Sequence, residues 1–226
     1  MARSKRYKEA SGSIDATTQY SLEEGIKKVK ENPVKFDAGI ELHIRLGIDP
    51  SKSEQLVRGT VVLPHGSGKT KRVAAFVSPD KEAEAKEAGA DIIGGDAVIE
   101  EIKTTGKCDF DVAVATPDMM KKLGPIAKTL GQQGLMPNPK TETVGPDVKK
   151  MVTELKGGKI AYRCDDGGNI HMLIGRVSFE DSALSENIQT VLESVAKVRP
   201  SEAKGTFMTA VYLSPSMGPS IKITVE

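Results

Sequence analysis

The stretch LPHGSGKT, residues 63–70, contains the residue types of a loop that binds a nucleotide phosphate. Such a loop has the spacing G-x-x-x-x-G-K-[ST], follows a strand and begins a helix. With GKT as its end, the first glycine would stand at position 63, which is Leu63. The next residues, KRVAAFVS, predict a strand, so no helix N-terminus is placed to bind an anion. The dinucleotide pattern G-x-G-x-x-G also fails, because Lys71 stands at its third glycine. We therefore expect no nucleotide cofactor.

The cysteines and histidines do not form a metal-binding pattern. Cys108 and Cys164 are far apart in sequence and belong to no paired-cysteine motif, and His43, His65 and His171 lack ligand spacing. We expect two reduced thiols, as in a cytoplasmic protein, and neither a metal nor a cofactor. The sequence also contains no nucleophile elbow, so it predicts no catalytic residue.

The charge balance limits how this chain could bind nucleic acid. Its formal net charge is +1, whereas a dedicated nucleic-acid-binding protein usually has a strong basic excess. Contact with RNA would therefore be local and would depend on shape. No apolar run approaches the ~20 residues of a membrane helix, and the polar start MARSKRYKEASGS does not resemble a secretory signal.

The two ends of the chain share one pattern of predicted helices and alternating strands. A helix begins at Ser21 with a capping-box spacing to Glu24. A strand follows in which apolar residues from Ile40 to Leu46 alternate with polar ones, and LVRGTVVL, residues 56–63, predicts a second strand. Near the other end, IAYRCD and NIHMLIGRVSF predict a hairpin. A long amphipathic helix and the strands MTAVYL and IKITV complete the pattern.

The middle of the chain has a different pattern of predicted elements. The short apolar strands RVAAFV, DIIGG and DVAVAT alternate with predicted helices, and two more helices are expected through MMKKLGPIAKTLG and PDVKKMVTELKG. This alternation is typical of a parallel sheet covered by helices on both faces. We predict an α/β protein of two domains. Residues 1–66 plus 160–226 form a discontinuous α+β domain, an antiparallel sheet with helices on one face. Residues 67–159 form an inserted three-layer, Rossmann-like domain.

The chain crosses between the predicted domains twice, at PHGSGK (64–69) and at KGGK (156–159). Each crossing carries two glycines between basic residues, and glycine permits large dihedral changes at low steric cost. The pattern predicts a two-stranded hinge at Gly66, Gly68, Gly157 and Gly158. The alternative is a pair of solvated turns without functional motion.

Residues 111–144 contain VATPDMMKKLG and GQQGLMPNPKTETV, which closely resemble the signature of a ribosomal protein family. Its members are the first protein of the large subunit by conventional numbering, and this chain resembles the bacterial type. Family members form the mobile stalk beside the tRNA exit site. The stretches YSLEEGIKKVKE, KFDAGIELHIRLGI, LVRGTVVLPHGSGKTKRVAAF, IHMLIGRVSF and SPSMGPSIKI agree with it in the family's order.

The resemblance implies a function and a set of partners. The discontinuous domain would bind the stalk region of large-subunit rRNA, and the stalk would move as deacylated tRNA leaves the exit site. The same surface would bind the messenger of its own operon and repress translation. The protein would lie in the large ribosomal subunit in the cytoplasm, would have no membrane partner and would be a monomer off the ribosome.

The resemblance also implies the residues that contact RNA. They combine backbone amides, hydroxyls, a methionine and an aromatic ring, which can read riboses, phosphates and bases without much net charge. The implied contacts are Lys35, Phe36, Glu41, Arg163, Asp165, Gly168, His171, Ser214, Ser216, Met217 and Gly218.

From the residues alone, simpler roles remain open. Phe36 could be a core aromatic, Glu41 a solvated strand residue and SMG an ordinary hairpin turn. Two positions depart from the family's pattern. Asp166 stands where the family usually has lysine, and its carboxylate would repel a phosphate there. Ser216 replaces the usual threonine while keeping the hydroxyl.

Two other classes of function compete with the RNA-binding one. The inserted domain could belong to an enzyme, because that fold hosts many activities, and nucleotide binding measured by calorimetry would favour it. A DNA-binding module is disfavoured because the sequence contains no basic surface helix. We expect a protein that is not an enzyme.

Overall fold

The chain folds into two compact units, one of them inserted into the other. The computed structural model describes residues 4–15, 18–31, 34–203 and 205–224. The first unit contains Met1–Gly68 and Ile160–Glu226, and the second contains Lys69–Lys159.

The first unit is built on a four-stranded antiparallel sheet. Its strands are β1 (Gly39–Leu46), β7 (Asn169–Arg176), β8 (Met208–Pro215) and β9 (Ile221–Ile223), in the order β7-β1-β8-β9. Its helices are α1 (Lys5–Gly12), α2 (Leu22–Lys30) and α8 (Asp181–Lys197). The predicted capping box of α2 is present, since Ser21 and Glu24 exchange hydrogen bonds between side chain and backbone.

One face of this sheet forms the core of the first unit. Ile40, Leu42 and Ile44 of β1 are fully buried with the alternate residues of β7 and β8, and the apolar sides of α2 and α8 pack on them. Asn187 of α8 is buried there as well. Its side-chain amide donates to the carbonyls of Gly66 (3.0 Å) and Ile174 (2.8 Å), so this polar group is satisfied.

The predicted pairing of IAYRCD with NIHMLIGRVSF as a hairpin is wrong. Strand β6 (Lys159–Arg163) pairs with β2 (Arg58–Val62) in a separate two-stranded sheet, whereas β7 joins the main sheet. A tight turn does connect β6 and β7, as expected. Next to the β2–β6 pairing, Cys164 donates its amide to the carbonyl of Val57. This partner is distant in sequence, so the local pattern cannot reveal the pairing.

The second unit is a parallel sheet between two layers of helices. Strands β3 (Val73–Phe76), β4 (Ile92–Gly94) and β5 (Val112–Ala115) have the order β4-β3-β5. The core on one face contains α4 (Asp96–Thr105), α5 (Pro117–Lys122) and α6 (Ala127–Gln132), and the core on the other contains α3 (Glu82–Glu87) and α7 (Val148–Lys156). Alternate residues of β3 point into the two cores, as in a strand covered on both sides.

The helix expected through MMKKLGPIAKTLG is broken in two. A turn of 3₁₀-helix, Gly124–Ile126, separates α5 from α6. Pro125 lacks an amide hydrogen and its ring clashes with the preceding helical turn, so a continuous helix cannot pass this position. The predicted fold class is confirmed, with an antiparallel sheet and a separate parallel three-stranded sheet. Among the helices of the described residues, none has the length and apolar composition to span a membrane.

Candidate RNA-binding surface

The second face of the antiparallel sheet is mostly polar, and its residues are half-buried or exposed. The strand register places Glu41 between Ser214 and Leu173, and His43 between Tyr212 and His171. We call this side the open face. Its residues are Glu41, His43, Arg45, Asn169, His171, Leu173, Ala210, Tyr212, Ser214 and Lys222. The register therefore brings the predicted contacts Glu41, His171 and Ser214 onto one surface.

The turn between β8 and β9 lies at one end of the open face. The amide of Ser216 donates to the carbonyl of Gly39 at 2.8 Å, and the amide of Gly218 donates to Pro215 at 2.9 Å. A Cβ on Gly39 would lie 3.3 Å from the Ser216 hydroxyl oxygen, so the small residue permits this close approach. The SMG turn is therefore joined to β1 by a backbone bond at Ser216 and closed on β8 by a bond at Gly218.

Met217 is the most exposed large apolar side chain of this turn. It is 74% exposed, and its φ of 64° lies in the left-handed region, which a non-glycine residue rarely occupies. Such a conformation costs about 1–3 kcal/mol, and residues that adopt it cluster at active sites and ligand clamps. The carbonyl of Met217 also accepts a hydrogen bond from the guanidinium of Arg6 at 2.7 Å. The strained backbone and exposed methionine make this turn a candidate contact.

A second exposed apolar side chain belongs to the loop before β1. Phe36 is 54% exposed, so it is not a core aromatic, and Lys35 beside it is exposed as well. The loop is held by Arg176, which donates to the carbonyl of Asp37 at 2.9 Å, and by Ser178, which donates its hydroxyl to the Asp37 carboxylate at 2.9 Å. Phe36 thus lies three residues from the point where β1 is bonded to the SMG turn.

Asp165 organises the turn between β6 and β7. One of its carboxylate oxygens accepts from the amides of Gly167 (2.9 Å) and Asn169 (2.7 Å). These bonds, with the Asn169 side chain and His171, lower the pKa of Asp165 to about 2. The carbonyl of Gly168 in turn accepts from the amide of Leu46 at 2.9 Å, which joins the turn to β1. The carboxylate of Asp165 is therefore an ionised acceptor at neutral pH.

The remaining predicted contact, Arg163, does not lie on the open face. It is exposed at the end of β6, in the two-stranded sheet, two residues before Asp165. Asp166, which stands where the family pattern has lysine, is exposed on the same turn. The surface therefore carries charges of both signs, in agreement with the small net charge of the chain.

His171 of the open face was predicted from the sequence, and its neighbour His43 was not. The Nδ1 atoms of His43 and His171 lie 2.8 Å apart. His43, Arg45 and Tyr212 could have been found from the period of two along each strand, since they share a face with Glu41 and Ser214. Arg6 gave no such signal, because its contact with Met217 joins distant parts of the chain.

The four predicted hinge glycines differ in their backbone surroundings. Gly66, Gly68 and Gly158 have φ values of 65°, 71° and 106°, which favour glycine, while Gly157 is helical at the end of α7. The carbonyls of Gly66 and Gly68 accept hydrogen bonds from Asn187 and Arg176 within the first unit. The hinge function of these glycines stays a prediction.

The described residues offer no site for a metal: in residues 4–15, 18–31, 34–203 and 205–224, no group of three or more histidine, cysteine or acidic side chains could hold an ion. Cys108 and Cys164 are both free thiols.

The model of the family described as ribosomal protein L1p/L10e matches residues 26–219. This segment covers most of the chain, including every predicted contact from Lys35 to Gly218.

Proposed function

Because the chain belongs to the ribosomal protein L1p/L10e family, we propose that it binds the stalk region of large-subunit rRNA, next to the tRNA exit site, through the open face and the SMG turn. Membership establishes the coarser function. The protein is a ribosomal protein of the large subunit, it binds rRNA, and it lies in the cytoplasm.

The observation that carries the proposal is the pair of exposed apolar side chains at one end of a polar sheet face. Met217 and Phe36 are both more than half exposed; Met217 belongs to the turn that is bonded to Gly39 of β1, and Phe36 belongs to the loop that leads into β1. Side chains of this kind stack on unpaired bases or pack on riboses, while hydroxyls and amides bond to 2′-hydroxyls and phosphates. The open face supplies such groups beside them, including Ser214, Ser216 and His171.

In this proposal the two units have different roles. The discontinuous unit, predicted over residues 1–66 plus 160–226, would hold the rRNA, and the inserted unit, predicted over 67–159, would be the part that moves. Gly66, Gly68, Gly157 and Gly158 would permit that motion at the two crossings, and the motion would accompany release of deacylated exit-site tRNA. Neither unit is proposed to catalyse a reaction, since family members are structural RNA-binding proteins.

The same surface would also repress translation by binding a similar fold in the messenger of its own operon. Both RNAs would use the same contacts, so they would compete. No separate binding site is required for this second role.

A titration of the full chain tests the proposed function. The labelled rRNA stalk fragment should bind saturably, an unlabelled fragment of the operon messenger should displace it, and a hairpin of equal length with scrambled sequence should not. Binding that the scrambled hairpin displaces equally well would refute a specific stalk site. Nucleotide binding detected by calorimetry would instead support an enzyme.

A further inference from the structure

The guanidinium of Arg6, in α1, reaches the turn that carries Met217. One of its nitrogens donates to the carbonyl of Met217 at 2.7 Å, although the two residues are 211 positions apart in the sequence. Both belong to the first unit. Ala10 of α1 lines a narrow crevice together with Pro215 and Pro219, the residues on either side of the SMG turn. Helix α1 therefore lies against this turn.

The turn has the backbone pattern of a type II β-turn with an uncommon residue at its third position. The amide of Gly218 donates to the carbonyl of Pro215 at 2.9 Å, which closes four residues into the turn. Of the two central residues, Ser216 and Met217, only Met217 has a positive φ, at 64°. A type II turn requires such a value there, and glycine or asparagine usually supplies it. A methionine in this conformation is strained and persists only where other contacts hold it.

The place of Arg6 in its own helix is unfavourable for a cation. Lys5 and Arg6 stand in the first turn of α1, which contains no acidic residue. The helix macrodipole favours negative charge at this end, so two cations there cost stability. A bond from a guanidinium to a carbonyl is charge-assisted and stronger than a bond between neutral groups. The bond from Arg6 to Met217 therefore opposes two local costs, that of the helix end and that of the strained turn.

We propose that Arg6 is a positioning residue for RNA binding: its bond to the carbonyl of Met217 holds the SMG turn in the left-handed conformation that presents the methionine side chain to RNA. The inference rests on the proposed function for the identity of the ligand. Arg6 acts through the turn and does not itself contact the RNA. A turn that is already in its bound conformation binds more tightly, because ordering it on binding costs less.

The first measurement uses the full chain without RNA. A residue with a positive φ has a short distance between its amide hydrogen and its own Hα, which gives a strong nuclear Overhauser signal. Arg6→Ala should weaken this signal at Met217, and Arg6→Lys, whose ammonium can also donate to the carbonyl, should retain it. Lys5→Ala is the matched control, since Lys5 is the adjacent, exposed cation of the same helical turn. An unchanged Met217 signal in Arg6→Ala would overturn the proposal.

The second measurement titrates the same variants with the rRNA stalk fragment, after thermal melts have verified that they are folded. Arg6→Ala should bind about three- to tenfold more weakly, as expected if about a third to a tenth of the molecules hold the turn ready to bind. Arg6→Lys and Lys5→Ala should bind like wild type. The slope of log affinity against log salt concentration should be the same for Arg6→Ala and wild type. A slope shallower by about 0.7–0.9 would indicate a direct phosphate contact and contradict the positioning role.

A Met217→Gly background separates the two ways in which Arg6 could act. Glycine adopts a positive φ at low steric cost, so this turn keeps its shape without Arg6. Adding Arg6→Ala should then cause no further loss of affinity, and a loss that persists would refute action through the turn. Normal binding by Arg6→Ala, despite a weakened Met217 signal, would refute it as well. If Met217→Gly alone binds like wild type, the methionine does not meet the RNA. That result refutes the proposed site together with this inference, whereas the others refute the inference alone.

Discussion

The backbone amide of Ser216 donates to the carbonyl of Gly39 at 2.8 Å, so the SMG turn is fixed to the start of β1 independently of its own side chains. The exposed methionine of that turn is therefore presented by backbone geometry. Side chains there can be shortened without removing a contact that holds the fold.

Met217→Ala and Ser216→Ala should each weaken binding to the rRNA stalk fragment. A lost stacking contact or hydrogen bond with RNA costs about 1–3 kcal/mol, and the thermal melts should stay close to wild type. Val198→Ala is the matched control, because Val198 is an exposed apolar residue at the end of α8, away from the open face. If both turn variants bind like wild type, the turn does not belong to the site.

The affinity should depend only moderately on salt. Each neutralised phosphate contributes about −0.7 to −0.9 to the slope of log affinity against log salt concentration, and a net charge of +1 leaves few cations for this purpose. Titrations at several salt concentrations should give a slope no steeper than about −6. A steeper slope would reveal a strongly basic surface that the open face does not provide.

Gly66→Ala should narrow the range of distances between the two units. Gly66 has a φ of 65°, so alanine strains and restricts the backbone there, and an added Cβ meets no atom within 4 Å. Gly106→Ala is the control, since Gly106 has a φ of 66° and equally free space but lies at the end of α4. Distance distributions between spin labels, one in each unit, measure the effect. Equal distributions for both variants and wild type would argue against a hinge at this glycine.

Asp165→Asn should lower the free energy of unfolding at neutral pH and lower it less in acid. Backbone hydrogen bonds lower the pKa of Asp165 to about 2 from its ordinary value of 3.8, so its contribution is complete above about pH 4 and is lost as the pH falls towards 2. Urea unfolding of wild type and variant should therefore differ at pH 6 and converge between pH 4 and 2. A difference that stays constant over this range would show that ionised Asp165 does not stabilise the turn.

Much of this fold follows from periodic pattern. The alternation from Ile40 to Leu46 separates a core face from an open face, and the short apolar strands of the middle segment predict the parallel sheet. The pairing of β6 with β2 was missed because it depends on the distant bond between Cys164 and Val57. The histidine pair was missed for a related reason: His43 and His171 become neighbours only through the strand register. The predicted RNA contacts rest on family resemblance, since an exposed methionine in a turn has no distinctive local pattern.

The first unit alone should fold and bind the rRNA fragment when residues 1–68 are joined through a short linker to 160–226. Both crossings adjoin the sheet formed by β2 and β6, and a short loop closes at small entropic cost. Keeping Gly68 preserves the bond from Arg176 to its carbonyl, so a join after residue 66 is the control and should melt lower. Because every predicted contact lies outside 69–159, affinity should change by less than about tenfold, or 1.4 kcal/mol. A cooperatively melting protein with a hundredfold loss of affinity would place essential contacts in the inserted unit.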